Sequence, residues 1–376
     1  MILIFSPQNW SHQFISKHHY AIAFSKKEKT YFFEPTTCEV GNYQVNSFKP
    51  FAENDNLTVV KITLPFPDII RFQASSFFKF INKLAIGRWL KKSEIQPKLL
   101  IDFGCHKSIS AWSFIPCKKR VYFPVDDYHD LPIEKRGCTV FFSVSKNIQE
   151  KFNNAGIPMV FMNHGLNHWF QEKAEQRLKE IEVGIFQRNN EIIKIAYSGN
   201  LTIPFLDREL VLQLVSTYRD CEFHFFGKND STDSAYQEWF TQLKSCCNVH
   251  VYGQLSVDNL AKRLFEMDVM LICYKLNYNN ITAENSHKIN EYLSTGAPLI
   301  STSIKILEDF NFKYQIDYND KKNTAESFEN AMNELNDSDK NVMVKRIEFA
   351  LKFCYNNLSN EIMNSFFMEL SKSKFN

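Results

Sequence analysis

Short apolar runs alternate with helical stretches along this chain, and the alternation stops and starts again midway. In the first half the runs are Ile2–Phe5, Lys29–Phe33, Leu57–Leu64, Leu99–Phe103, Arg120–Phe123, Val140–Val144 and Met159–Met162. Helical stretches at Phe14–Phe24 and Ile69–Lys92 fall between them. The charged segment Glu172–Gln187 has little apolar face and reads as a connector. The pattern then resumes with strands at Ile192–Tyr197, Glu222–Phe226, Val249–Tyr252 and Val269–Tyr274, and another opening at Pro298–Ser301. Helices are expected at Asp207–Arg219, Ser256–Phe265 and Ser286–Ser294, with Gly296 closing the last, and residues 341–371 read as helical. Strands joined by helices need helical cover on both sheet faces, so the sequence predicts an α/β fold of two parallel-sheet domains.

Composition narrows the functional classes. The 376 residues suffice for two domains, and the net charge of +2 is too small for a dedicated nucleic-acid binder, so no nucleic acid is expected as a partner. The charge is divided unevenly: residues 1–170 hold 21 Lys/Arg against 13 Asp/Glu, and residues 171–376 hold 23 against 29. A basic half and an acidic half point to different partners. Nine cysteines, without a C-x-x-C pair and with Cys246 beside Cys247, read as reduced thiols. The N-terminal apolar run is four residues long and no segment approaches the ~18 apolar residues of a membrane span, so a cytoplasmic protein is expected.

Several chemistries leave no signature. G-x-G-x-x-G, G-x-x-x-x-G-K, G-x-S-x-G and H-E-x-x-H are all missing from the sequence. His164 and His168 are four apart, but Gly165 and Asn167 between them read as a turn, and no metal is expected there.

One theme recurs in the second half: a strand ends, and a small or polar loop leads into a helix. It occurs at Tyr197-Ser198-Gly199-Asn200, at Phe225-Phe226-Gly227-Lys228 and at Asn285-Ser286-His287-Lys288. Ligands of open α/β sheets sit beyond the strand carboxyl ends, where backbone N–H groups suit a diphosphate. Lys288 would add a positive charge, His287 a donor, and Glu291 a carboxylate able to accept from a ribose diol. Spacing alone leaves a second reading open, in which Lys288 and Glu291 are solvated helix residues.

The run Asp268–Tyr274 followed by His287-Lys288-Ile289-Asn290-Glu291-Tyr292-Leu293-Ser294-Thr295-Gly296-Ala297-Pro298 resembles the donor-binding core of GT-B glycosyltransferases, in particular the family 4-like group. Ile195–Leu201 with Asp207-Arg208, Val249–Gly253 with Leu260, and Met162–Phe170 resemble further segments of that family. Ser16–Ala21 with Glu34-Pro35 resembles the opening of a bacterial subgroup. The resemblance implies a GT-B fold, two Rossmann-like domains with parallel sheets facing a central cleft. It divides the chain into an acceptor domain (1–170), a nucleotide-sugar domain (171–345) and a C-terminal helix packing back toward the first (346–376). It further implies transfer of a sugar from a nucleotide-diphospho-sugar to a hydroxyl on a glycan or lipid-linked acceptor, as in bacterial surface polysaccharide synthesis. The nucleotide-sugar is a substrate, so neither cofactor nor metal is expected. An epimerase or hydrolase of the same fold, or a non-catalytic sugar-nucleotide binder, is the rival reading.

Residue by residue, the resemblance assigns Glu291 to the ribose, Lys288 to the diphosphate, and Gly199-Asn200 to the neighbourhood of the phosphates. Tyr252 and Gly253 fall by the base, and Tyr274 and His287 join the donor side. Two departures stand out. The second glutamate of many retaining members is replaced by Ala283, with Glu284 one residue off, and Asn200 replaces the usual basic residue, a role open to Arg208. On the acceptor side, Asp126 and Asp127 follow the strand Arg120–Phe123 and are candidates for a general base, alongside a capping role. His18 and His106 are further catalytic candidates, and Lys17 and His19 acceptor-side ones. The basic, aromatic stretch 77–92 suits either peripheral contact with an anionic membrane, on its inner face, or an ordinary core helix.

Overall fold

In the computed structural model, residues 1–11, 14–124, 136–152, 156–188, 191–275, 285–307, 313–337 and 340–372 are described. They form two units, Met1–Asn163 with Tyr355–Asn376, and His164–Cys354.

Unit 1 runs β1 (Ile2–Phe5), α1 (Ser16–Ser25), β2 (Thr30–Phe33), β3 (Thr37–Cys38), β4 (Gln44–Phe48), β5 (Leu57–Leu64), α2 (Ile70–Gln73), α3 (Ser75–Lys92), β6 (Leu99–Asp102), β7 (Lys119–Tyr122), β8 (Val140–Ser143), α4 (Lys146–Lys151) and β9 (Met159–Phe161). The sheet order is β3-β5-β2-β1-β6-β7-β8-β9. Its described pairs are parallel except that of β4, which joins β5 antiparallel. That exception and the break at Ala74, which splits the expected Ile69–Lys92 helix into α2 and α3, are absent from the sequence reading. The central strands β1, β2, β6 and β8 are buried at every position, as a sheet covered on both faces requires.

Asp102, at the end of β6, ties three segments of this unit together. One carboxylate oxygen accepts from the backbone N–H of Gly104 (2.9 Å) and Cys105 (2.7 Å). The other accepts from Trp112 Nε1 at 2.7 Å and from the fully buried Arg136 guanidinium. Removing one partner of such a pair would strand a buried charge.

Unit 2 runs α5 (His168–Glu182), β10 (Ile193–Ser198), α6 (Arg208–Thr217), β11 (Cys221–Phe226), α7 (Ser234–Ser245), β12 (Val249–Gly253), α8 (Val257–Leu264), β13 (Val269–Ile272), α9 (Lys288–Ser294), β14 (Leu299–Ser301), β15 (Lys313–Gln315), α10 (Lys321–Asn336) and α11 (Asn341–Lys352). Its sheet has the order β12-β11-β10-β13-β14-β15, and its described pairs are parallel. The period of two is visible in the core. Ile195, Tyr197, Phe223, Phe225, Val269 and Leu271 fill one face, and Ala196, Phe226, Met270 and Ile272 the other.

The segment 172–187, read from sequence as a connector, is instead largely helix α5. Asn167 caps it, accepting from Phe170 N–H at 3.3 Å. Phe170 and Ala174 are buried, and Leu178 and Ile181 pack partly buried beside them, a spacing of 4, 4 and 3 that makes one narrow apolar stripe. The other faces are charged, which masked the stripe. The borders also move from those expected at 170 and 345. Leu166 N–H donates to Phe353 O at 2.8 Å, so both segments belong to unit 2, and α11 packs on α9 and α5. Helix α12 (Tyr355–Lys372) belongs to unit 1, where it packs on α1.

Gly296 ends α9 with φ +78°, and a Cβ there would lie 2.5 Å from Met343 Cγ and 3.0 Å from Ile347 Cδ1 of α11. Its carbonyl accepts from buried Arg346 Nη1 at 3.1 Å. Gly296→Ala should therefore destabilise by about 1–4 kcal/mol through strain and overpacking, read as a lower urea midpoint. An unchanged midpoint would mean that α11 moves aside freely.

Candidate functional site

The carboxyl ends of β10, β11 and β13 and the start of α9 converge in unit 2. Gly199 follows β10 with φ +132° and Gly227 follows β11 with φ +141°. Gly199 N–H donates to Phe226 O at 2.7 Å, and Gly227 N–H donates to Gly253 O at 2.7 Å. A Cβ on Gly227 would lie 2.0 Å from the Gly199 carbonyl oxygen, so the two loop backbones touch. Only glycine permits both that contact and these φ values.

Lys288 opens α9 and lies 5% exposed. Its Nζ donates to Tyr197 Oη at 3.2 Å and sits over the Tyr197 ring (4.4 Å) and the Tyr274 ring (5.3 Å). A Cβ on Gly199 would stand 2.1 Å from Nζ, so the ammonium occupies the space that the missing side chain leaves. Among the described residues no carboxylate forms an ion pair with it. Cation–π contacts offset part of the desolvation, but a buried charge of this kind favours an anion. Tyr292, one turn on, fixes α9 against β10: its Oη accepts from Ser198 N–H at 2.6 Å and donates to Ser198 O at 3.3 Å.

Glu291 is half-buried on the first turn of α9. Burial raises its carboxyl to about 7, with Lys288 pulling in the opposite direction. His287 meets solvent on one side, yet burial, the His164 imidazole and the Lys288 ammonium push its own imidazole down. His164 is lowered to about 4 by burial, and the two rings meet edge-on at 6.2 Å. Both are therefore neutral at pH 7 and serve as hydrogen-bonding groups. Asn290 Nδ2 donates to the His164 carbonyl at 2.5 Å, and its buried Oδ1 has no partner among the described residues.

The structure thus brings Gly199, Lys288 and Tyr274 together, and Glu291 and His287 share their helix start. Asn200 Oδ1 accepts from Thr202 N–H at 2.9 Å and shapes its own loop. Arg208 lies over the Tyr236 and Trp239 rings (5.4 and 5.6 Å) and donates to Thr202 O at 3.4 Å; its buried Nε has no partner among the described residues. Gly253 sits at the end of β12 on the loop of β11. Tyr252 is 40% exposed and stacks on Phe226 at 4.8 Å. Tyr197, Tyr292 and Asn290 were not singled out from sequence, and His164 was weighed there only as a metal ligand. The tyrosines belong to the motif segments, but only the fold shows that their rings and hydroxyls hold Lys288 and Ser198.

On unit 1, His18 has both ring nitrogens engaged: Nδ1 accepts from Ile15 N–H at 3.1 Å, and Nε2 donates to Asn9 O at 3.0 Å. It is buried and stacked between Phe14 and Phe32, a structural setting. His19 is buried against Tyr355 with ring centroids 4.9 Å apart. Lys17 is buried within α1, and His106 is half-buried in the loop after β6. Asp126 and Asp127, like Ala283 and Glu284, lie outside the described residues.

No protein-family model and no curated protein sequence matches this chain. Solved structures do. A glycosyltransferase from Rickettsia africae ESF-5 is 13% identical with a TM-score of 0.64, covering 97% of each chain. The trehalose-6-phosphate protein from E. coli, bound with UDP-2-fluoro glucose, is 11% identical with a TM-score of 0.62, over 97% of this chain and 98% of that one. Anabaena HepE in complex with UDP and glucose is 12% identical with a TM-score of 0.58, over 97% and 98%. The chain has the fold of the GT-B glycosyltransferases, as the sequence resemblance implies.

The raised Glu291 carboxyl has a measurable consequence. An unfolded glutamate titrates near 4.3, so the folded chain holds this proton more tightly up to about pH 7. Stability from this group is complete below about 4.3, falls as the pH rises to about 7, and is flat beyond. Without ligand, Glu291→Gln should therefore be more stable than wild type by about 1–2 kcal/mol at pH 8 and equal to it at pH 4. Urea unfolding at the two pH values checks this; no difference at pH 8 would show that the carboxyl ionises freely.

Proposed function

We propose that this chain is a glycosyltransferase that moves a sugar from a nucleoside-diphospho-sugar of the UDP class to a hydroxyl on a glycan or lipid-linked acceptor. The observation that carries this reading is the Lys288 ammonium, buried on two tyrosine rings at the strand carboxyl ends with no ion-paired carboxylate among the described residues. A diphosphate supplies the missing negative charge. The fold supports the same reading, since the E. coli and Anabaena structures hold UDP-2-fluoro glucose and UDP with glucose.

In this mechanism, Lys288 compensates the charge that grows on the departing diphosphate as the glycosidic bond breaks. Glu291 accepts from the ribose hydroxyls, and binding then offsets the cost of keeping its carboxylate half-buried. The touching Gly199 and Gly227 loops let the backbone approach the phosphates closely. A lysine in this place does the electrostatic work of a cation on the departing diphosphate. The alternatives within the same fold are hydrolysis, in which water is the acceptor, epimerisation of the nucleotide-sugar without an acceptor, and binding without catalysis.

The exposed side of the first unit supports a place at a membrane surface. Phe72, Phe77, Phe80 and Leu84 are exposed along α2 and α3, among the exposed cations Lys83, Arg88, Lys91 and Lys92. An apolar stripe flanked by lysines fits the interface of an anionic bilayer. A lipid-linked acceptor in bacterial surface polysaccharide synthesis, on the cytoplasmic face, agrees with that placement. No helix among the described residues is long and apolar enough to cross a membrane.

Two experiments test these readings. Lys288→Ala should weaken UDP binding at least tenfold, about 1.4 kcal/mol, and uridine binding far less. Equal losses for both would remove Lys288 from the phosphates, and UDP-sugar consumption that is indifferent to any acceptor would favour hydrolysis or epimerisation. Phe72→Ser with Phe80→Ser should abolish co-sedimentation with phosphatidylglycerol vesicles while leaving UDP affinity unchanged. Absence of wild-type sedimentation with the anionic vesicles would exclude the membrane reading, and equal sedimentation with neutral vesicles would exclude its dependence on anionic lipid.

A further inference from the structure

A second cluster of chemically capable side chains lies on the sheet of unit 2, away from the strand ends. Glu222 and His224 are two apart on β11 and so share a face. His250 on β12 is the register partner of His224. The two imidazoles stack with centroids 4.8 Å apart and planes 23° apart. Glu222 Oε2 lies 3.3 Å from His224 Nε2, and Oε1 lies 3.8 Å from His250 Nε2. One ligand atom from each of the three falls within 4.8 Å of the others.

We propose that Glu222, His224 and His250 form a binding site for a divalent transition metal of the zinc class, with a fourth position open to solvent. Two imidazoles and one carboxylate suit zinc and its borderline neighbours; magnesium and calcium prefer oxygen alone. Tetrahedral bonds of about 2.0–2.1 Å place ligand atoms roughly 3.4 Å apart. The present spacing therefore closes with side-chain shifts of about an ångström and leaves the backbone in place. The side chains of Glu222 and His250 are 30% and 42% exposed, which gives an ion an entry path.

The surroundings supply an orienting partner. Tyr252 Oη lies 2.9 Å from His224 Nδ1. Without metal, His224 Nε2–H donates to Glu222 and Nδ1 accepts from the phenol. With metal, the proton moves to Nδ1, which then donates to Tyr252 Oη and frees the Nε2 lone pair for the ion, the usual arrangement around a ligating histidine. Lys194 works against the site: it is the register partner of Glu222 on β10, and its positive charge, felt at His224, disfavours a further cation there. A bound ion would join edge strand β12 to β11 by a link independent of the sheet hydrogen bonds. The three ligands lie away from the donor residues, since Glu222 and His224 occupy the beginning and middle of β11 and His250 the start of β12, whereas Gly227 follows the end of β11. Only the orienting Tyr252 is shared with the residues that the resemblance places by the base.

The test is metal titration of the full chain with zinc and with cobalt(II). Wild type should bind one equivalent, and its cobalt form should show the intense visible absorption of a tetrahedral site without a near-ultraviolet thiolate band. His250→Ala, a change at a part-exposed position, should weaken zinc binding at least tenfold and remove the visible band. Glu222→Gln should weaken it as well, with circular dichroism confirming that both variants fold. The nine cysteines include exposed Cys247, so Cys247→Ser is the control and should leave binding intact. Equal zinc affinity in His250→Ala and wild type, or a thiolate band in the cobalt form, would overturn the proposal.

Discussion

The contact between the Gly199 carbonyl and the Gly227 Cα is the constraint on which the proposed donor side of unit 2 depends. Parallel neighbours β10 and β11 end at the same level, and their loops must turn away without colliding. Removing two side chains lets the backbones meet, with Gly199 and Gly227 N–H groups committed to Phe226 and Gly253 carbonyls. That same gap admits the end of Lys288. Loop closure and ammonium placement are therefore one packing solution. Any side chain larger than hydrogen at either glycine would disturb both.

Lys288 and Glu291 illustrate how a site can oppose the stability of the molecule that carries it. The ammonium is buried on phenol rings, which are poor substitutes for water. The carboxyl one turn on is held half-buried, with its proton retained to about pH 7. Each would be cheaper as an apolar or neutral residue. Both are rigidly supported, Lys288 by Tyr197 and the helix by the Tyr292–Ser198 hydrogen bonds. Such an arrangement is preorganised: the protein has met the desolvation cost before a ligand arrives.

What the sequence disclosed was what depends on local pattern. The two α/β runs, strand β5 at its observed limits and the Gly296 stop all follow from periodicity or from a single glycine. Lys288 and Glu291 could be proposed for the donor side from sequence because they stand in one contiguous segment. Helix α5 was missed because its apolar stripe is narrow beside many charges. The antiparallel β4 was missed because pairing direction leaves no mark in a half-exposed strand. The Glu222–His224–His250 cluster was invisible for another reason: it exists only through the register of β11 with β12. His18 shows the reverse case, an attractive catalytic residue type whose two nitrogens are consumed by backbone groups.

The assignment of helix α12 to unit 1 bears on the order in which the protein can become itself. Tyr355 packs on His19 and Tyr20, and Asn360 accepts from Lys27, so the second unit's 191 residues, His164 to Cys354, separate these partners in the chain. A ribosome delivers β1 through β9 first, yet their closing helix emerges only after all of unit 2. The part of the molecule translated earliest is thus the last to hold its full set of contacts, and through the intervening synthesis the α1 surface that receives Tyr355 waits uncovered.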